Sequence, residues 1–406
     1  MRIPRRGTQR RRENLRILHR AILERPEARA ALSRGPGAGR CTVTLSRMEY
    51  LPNSRQGGLV TRRSATACGA AAVVGAAVST RARGASAGWQ AAAQPLTPRA
   101  GETIAGALSG RPVFIPNLNV PPMPAIAPTG PIYNGAPAPL FDVAQLSAGH
   151  PDVLSHRRRF GLLIPATNTT MESELWTILV RNRDNGLDGV GLHTSPVLTP
   201  KPDMSSAAAI EQFRQHFLGG VADALKSALL ARPQYLIMGM SLEHIISGIE
   251  PIRATAKTIE QGSDLSWATW HDAAKAGLDR FGAKRIGLIA PFERTGVESA
   301  TRMFRDMGFD VVATLGFACG NVQHISHIPD EAKERAVVEL LATKDNRLDA
   351  IVQCGTNMSM TAVAEKVEPK IGIPILGINA TLLWYALRES GITARAHHAG
   401  RLLREH

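Results

Sequence analysis

Four times this chain runs a short apolar stretch into a compact turn and then into a helical pattern, and that repetition constrains the fold more than any other feature. Phe160 to Ile164 stops at Pro165-Ala166-Thr167-Asn168-Thr169-Thr170, and Tyr235 to Met238 stops at Gly239-Met240-Ser241-Leu242. Arg285 to Ala290 stops at Pro291-Phe292-Glu293-Arg294-Thr295, and the stretch through Ala350, Ile351 and Val352 stops at Cys354-Gly355-Thr356-Asn357. After the last turn Met360, Val363, Ala364 and Val367 recur at helical spacing, with Gly372 as the stop. Strands alternating with helices predict parallel sheets covered by helices. Two turns carry proline and two are small and polar, which predicts two α/β half-domains related by a pseudo-two-fold. The four turns then face one crevice, because ligands of parallel α/β sheets bind outside the carboxyl ends of the strands.

The rest of the chain divides by charge. The sequence has 406 residues and a net charge of +14. All of that charge lies in residues 1–150, which hold 20 arginines, no lysine and six acids. Residues 151–406 balance 28 basic against 28 acidic side chains, which argues against a nucleic-acid partner for the folded part. Residues 1–47 are arginine-rich, and Met48 is a candidate start. The expected location is cytoplasmic; the alternative is periplasmic, since Arg62-Arg63, a weakly apolar run from Ala65 to Val78 and Ala85-Ser86-Ala87 resemble a twin-arginine export signal. Residues 88–157 are rich in Pro, Gly and Ala, as a disordered linker would be. The expected organisation is therefore an extension over 1–157, a first Rossmann-like half-domain over 158–267 plus 375–406, and a second over 268–374. No apolar run reaches the roughly 18 to 20 residues of a membrane helix. Cys41, Cys68, Cys319 and Cys354 show no metal-ligand spacing, and no carboxylate or thiol completes a set with His324 and His327, so neither metal nor cofactor is expected.

Cys354 is the candidate catalytic residue. Its turn aims backbone N–H groups and the positive end of a helix at the crevice, which predicts a thiol of lowered pKa. The alternative is a small buried apolar residue at a strand end. The polar Gly-Thr-Asn that follows favours a sulfur at the mouth of the crevice. Ser241 has a second reading as a helix cap, and Asn168 as a turn residue. Cys319 reads as structural, and His244 as a surface helix residue.

From Phe160 onward the chain resembles the aspartate/glutamate racemase superfamily, and within it arylmalonate decarboxylases and maleate isomerases. The stretches that carry the resemblance are LLIPATNTTMESE, LIMGMSLEHIISG and AIVQCGTNMSMTAVAEKVEPKIGIPILGINA. The resemblance implies a pair of cysteines in racemases and isomerases; here Cys354 matches the second and Gly239 stands at the first. The single-cysteine pattern is that of the decarboxylases. It implies a dioxyanion hole, in which Ser241 matches a hydroxyl donor and Gly355 the glycine after the thiol, with Thr356 beside it. Met240 stands where the decarboxylase has threonine, and Phe292 where both relatives have tyrosine. Asn168 matches a carboxylate-binding asparagine of maleate isomerases, and Asn321 is matched to another. With Thr167 and Thr169 these amides would replace the lost donors, and Leu242 would wall an apolar pocket.

The resulting expectation is a cofactor-independent lyase that decarboxylates a small dicarboxylate and protonates the enediolate from Cys354. The alternatives are a maleate isomerase or Asp/Glu-type racemase, and a carboxylate-binding relative without turnover. The expected partners are the small dicarboxylate and a second copy of the chain.

Overall fold

The computed structural model describes residues 98–118, 131–138, 152–198 and 207–406; the arginine-rich arm, Met48 and Arg62-Arg63 lie outside them. Two short antiparallel pairs come first, β1 (Thr103–Ala105) with β2 (Pro112–Phe114) and β3 (Ile132–Tyr133) with β4 (Ala136–Pro137). The first half-domain follows as β5 (Arg158–Pro165), α1 (Met171–Arg181), β6 (Val190–Val197), α2 (Ala207–Leu230), β7 (Tyr235–Met238), a 3-10 turn at Leu242–His244, α3 (Ile249–Glu260) and β8 (Trp267–Ala268). The second runs through α4 (Trp270–Arg280), β9 (Arg285–Ala290), α5 (Arg294–Asp306), β10 (Asp310–Gly316), α6 (Asp330–Arg335), β11 (Ala350–Gln353), α7 (Thr361–Ile371) and β12 (Ile375–Gly377). The chain closes with α8 (Ile378–Glu389) and α9 (Arg401–Glu405).

Both main sheets are four-stranded and parallel, in the orders β6-β5-β7-β8 and β10-β9-β11-β12. These are one topology used twice: the second strand lies outside the first, and the chain then crosses back to the other side. The direction of winding reverses between β5 and β7, and again between β9 and β11. The four turns read from the sequence follow those four strands, so they open at the two switch points where such sheets bind ligands.

Strand alternation then decides where each side chain goes. On β11 and the turn after it, Ala350, Val352 and Cys354 join the large core that runs through both half-domains. Ile351 faces the other way, into a smaller cluster with Val337, Val363 and Val367. On α2, Phe213, Phe217, Val221 and Leu225 form one buried stripe.

Three expectations change. Residues 98–118 lie within the expected disordered extension, yet they form a docked hairpin with Val113 and Ile115 buried in the main core. Glu389 holds the hairpin turn, accepting the backbone N–H of Leu108 at 2.6 Å and of Ser109 at 2.8 Å, and Arg111 pairs with Asp272 at 2.8 Å. Two apolar side chains and one buried carboxylate order a segment whose composition reads as a linker. The last segment also divides differently: Ile375–Gly377 pairs with β11 in the second sheet, whereas α8 packs on α1, α4, β7 and β8. All twelve residues of α8 are buried, so it joins the two halves. Trp267–Ala268, at the expected boundary, is the last strand of the first sheet.

Candidate active site

The Cys354 turn is shaped by its neighbours. Gly355 has φ of 92°, and a Cβ there would lie 2.6 Å from the Pro291 ring, so both backbone and packing demand glycine. The Gln353 side-chain amide donates to the carbonyls of Cys354 at 2.5 Å and Gly355 at 2.9 Å, and its oxygen accepts the Ile378 N–H at 3.2 Å.

A polar clasp then ties this turn to the first half-domain. Asn168 Nδ2 donates to Thr356 Oγ1 at 2.9 Å, and Asn357 Oδ1 accepts the Thr169 N–H at 2.9 Å. The Asn168 carbonyl oxygen accepts the N–H groups of Thr170 at 3.1 Å and Met171 at 3.0 Å, so the whole side chain is engaged in the clasp and in starting α1. Thr167 offers its carbonyl to Asn357 at 3.4 Å. Asn321 is exposed and its side chain accepts the Gln323 N–H at 2.9 Å. The amides proposed from the sequence to hold a carboxylate therefore bond to protein groups here.

Cys354 departs furthest from expectation. The thiol is 0% exposed, so it lies in the core and not at a mouth. The helix end expected to lower its pKa is taken: Glu174 on α1 accepts the N–H groups of Met360 and Thr361 at 2.9 and 2.8 Å, and Asn379 Nδ2 at 2.7 Å. Burial raises the thiol well above its ordinary pKa, and the Glu243 carboxylate beside it raises it further. The Trp270 indole N–H acts weakly the other way. At neutral pH Cys354 is consequently a proton-bearing acid.

Around the thiol, three buried polar atoms lack a hydrogen-bond partner: Ser241 Oγ, Glu243 Oε1 and Trp270 Nε1. Ser241 makes no cap bond to the 3-10 turn, which removes its reading as a cap. Neither the Ser241 hydroxyl nor the Trp270 indole makes a well-formed hydrogen bond, but Ser241 lies toward Glu243 and the indole toward Cys354. Met240 and Leu242 are buried and line a small cavity with Glu243 and Trp270, the space amounting to about 10 Å³, roughly what one water needs. Phe292 lies over Gly355 and stacks on the exposed His244 ring, with centroids 5.1 Å apart.

Gly239 also has a structural cause. A Cβ there would meet Ile164 Cγ2 at 2.6 Å, the Leu163 carbonyl at 2.8 Å and Met171 Sδ at 2.8 Å. The position faces packed core, so it does not offer space for a second thiol opposite the first.

Sequence reasoning missed Glu243, Trp270, Asn357 and Glu174. Glu243 carried a usable signal, an acid five residues past a fully buried strand end, next to Leu242 and two residues before Ile245. Among the described residues no group of three His, Cys, Asp or Glu is placed to hold a metal, and no helix is long and apolar enough to cross a membrane.

The sequence model of the arylmalonate decarboxylase family matches residues 227–403. The maleate isomerase of Nocardia farcinica is 25% identical over 251 residues, covering 61% of this chain and 96% of that protein. The maleate isomerase of Pseudomonas putida KT2440 is 24% identical over 251 residues, 60% of this chain and 96% of the relative. Among solved structures, a Nocardia farcinica maleate cis-trans isomerase with a covalently bound succinylcysteine intermediate superposes with a TM-score of 0.53 at 20% identity, over 61% of this chain and 99% of that one. A maleate isomerase of Pseudomonas putida S16 gives a TM-score of 0.55 at 18% identity, over 61% and 98%. Repeated parallel sheets, a thiol at the second switch point and these likenesses converge: in sequence the chain is similar to maleate isomerases and to the arylmalonate decarboxylase family, and in fold to solved maleate isomerases.

Proposed function

We propose that this chain is a cofactor-independent lyase that decarboxylates a small dicarboxylate, with the Cys354 thiol protonating the enediolate that forms. The observation that carries this reading is the buried Cys354 thiol, held protonated, together with a strand-end Gly239 that has no room for a second one. One carboxylate of the substrate would take the Ser241 hydroxyl and Trp270 indole N–H, donors that make no well-formed hydrogen bond within the protein. Preorganised donors of this kind lower such barriers by about 3 kcal/mol each. The other carboxylate would leave from the side walled by Met240, Leu242 and Met303, where desolvation favours neutral carbon dioxide. With one acid on one face, the product has one hand. Because Cys354 is closed off, the half-domains must part to admit substrate, a gating step common in enzymes that exclude water.

The test is an aryl-substituted malonate in deuterated water, followed for carbon dioxide release and for the configuration of the deuterated acid. The expected result is one α-deuteron and one enantiomer. Cys354→Ser is expected to keep fold and binding and to lose turnover by about two to four orders of magnitude. Native-rate turnover by that variant, or a racemic product, would sink the reading.

A second reading, maleate isomerisation, is favoured by similarity over 96% of the length of two maleate isomerases. It asks Cys354 to add to the double bond as a thiolate after giving up its proton. Fumarate formed from maleate, lost in Cys354→Ser, would select it over decarboxylation.

A further inference from the structure

Glu243 is 1% exposed, and its Oε1 has no hydrogen-bond partner. No lysine or arginine lines the cavity it borders, so no cation holds this carboxyl in its ionised form. The titratable groups facing it are few. Cys354 approaches from the end of β11, and His271 borders the same cavity from α4. His244, next along the turn, stacks on Phe292. On α5, Arg302 and Asp306 lie 3.9 Å apart, and Asp306 is engaged with the Ile249 N–H at 3.0 Å. A buried carboxyl without a countercharge, set beside a buried thiol, is costly unless the two share protons.

We propose that Glu243 and Cys354 work as one acid pair, in which the Glu243 carboxyl returns a proton to the thiol after each turnover. The inference rests on the decarboxylation reading for its catalytic half. A malonate dianion loses carbon dioxide and leaves an enediolate dianion. Its α-carbon takes the proton of the Cys354 S–H, a C–H bond forms, and a monocarboxylate and a thiolate remain. The Glu243 O–H then passes its proton to that sulfur, and the resulting carboxylate is reprotonated from water once the half-domains part. The net reaction consumes one proton from solvent and needs no oxidant or reductant. Burial pushes the Glu243 carboxyl up to about 7, where it gives and takes a proton at neutral pH, whereas burial and this same carboxylate push the thiol up. Ordinary glutamate, ionised at neutral pH, could not reload a thiolate.

The experiment is a thiolate titration by ultraviolet absorbance in the full chain, each protein read against its own Cys354→Ser blank. In Glu243→Gln the thiolate fraction at a given alkaline pH is expected to rise at least about tenfold, since the adjacent negative charge that disfavours the thiolate is removed. Glu243→Asp, which keeps the charge, should stay near the native curve. Coincident curves for native and Glu243→Gln proteins, both with native circular dichroism, overturn the pair. If Glu243→Gln does not fold, the carboxyl carbon resonance of Glu243 in the native protein decides: a midpoint near neutrality supports the pair, and one near the ordinary value of about 4.3 overturns it. Turnover of the aryl-substituted malonate adds the catalytic half. Glu243→Gln should complete a first turnover at the native rate and then slow at least about tenfold, as a thiolate waiting for its proton would; an unchanged steady-state rate overturns the reloading role. No turnover by the native chain would defeat the decarboxylation reading and with it the reloading role, whereas the titration judges the acid pair independently.

Discussion

Cys354 and Glu243 lie on different strand-end turns, and each alters the other's chemistry only because the fold buries them together. Glu243 also leaves a signature in stability. Its carboxyl has a folded pKa of about 7 against an ordinary value of 4.5, so the folded state holds a proton that the unfolded chain has released. Its contribution is therefore fully present below about pH 4.5 and is lost as pH rises through about 7. Replacing it with a neutral amide should remove that loss. The stability of Glu243→Gln relative to the native chain is expected to improve by about 2 kcal/mol between pH 5 and pH 8, measured by urea unfolding at each pH. Gly239 gives the opposite lesson. Gly239→Cys, which the family pattern suggests as a way to add a second acid, should cost about 1–3 kcal/mol because its Cβ must displace the Leu163 carbonyl and Met171. Thermal melting of the variant checks this, and a native melting temperature would contradict it.

At the scale of elements, Glu174 is the joint between helices. One carboxylate on α1 caps the start of α7 through two N–H groups and holds Asn379 on α8, which in turn donates to the Thr356 carbonyl at 2.9 Å. This joint and the clasp of Asn168 with Thr356 hold the Cys354 turn against the first half-domain. Glu174→Ala leaves two helix-end donors unpaired and should cost about 2 kcal/mol. It should also speed iodoacetamide labelling of Cys354, because the half-domains part more readily. Equal labelling rates in the native and variant chains would show that Glu174 does not govern access.

For the whole molecule, the hairpin at residues 98–118 belongs to the folded unit. Ile115 is fully buried, Gln234 donates its amide to the Pro116 carbonyl at 2.5 Å, and Glu389 caps the hairpin turn. Ile115→Ala in the full chain is expected to cost about 2–4 kcal/mol, the range for emptying a buried isoleucine. Chemical denaturation checks this. A cost of a few tenths would mean that the hairpin can detach without consequence. Arg111–Asp272, partly exposed, should matter much less.

The sequence by itself determined the alternation of strand and helix, the parallel sheets and the four turns, because these rest on periodicity and on where glycine and proline stop a run. Only the tertiary structure decided what surrounds the thiol. The polar residues after Cys354, which read as solvent-facing, spend their hydrogen bonds on Asn168 and Thr169 across the half-domain boundary. The N-terminal N–H groups that would favour a thiolate are held by Glu174. The ordering of residues 98–118 was likewise hidden, because two buried side chains and a carboxylate far along the chain outweigh local composition. A proton's affinity depends on burial and nearby charge, and both are set by residues distant in sequence; that is why Glu243, an ordinary acid in the sequence, becomes the partner of Cys354 in the fold.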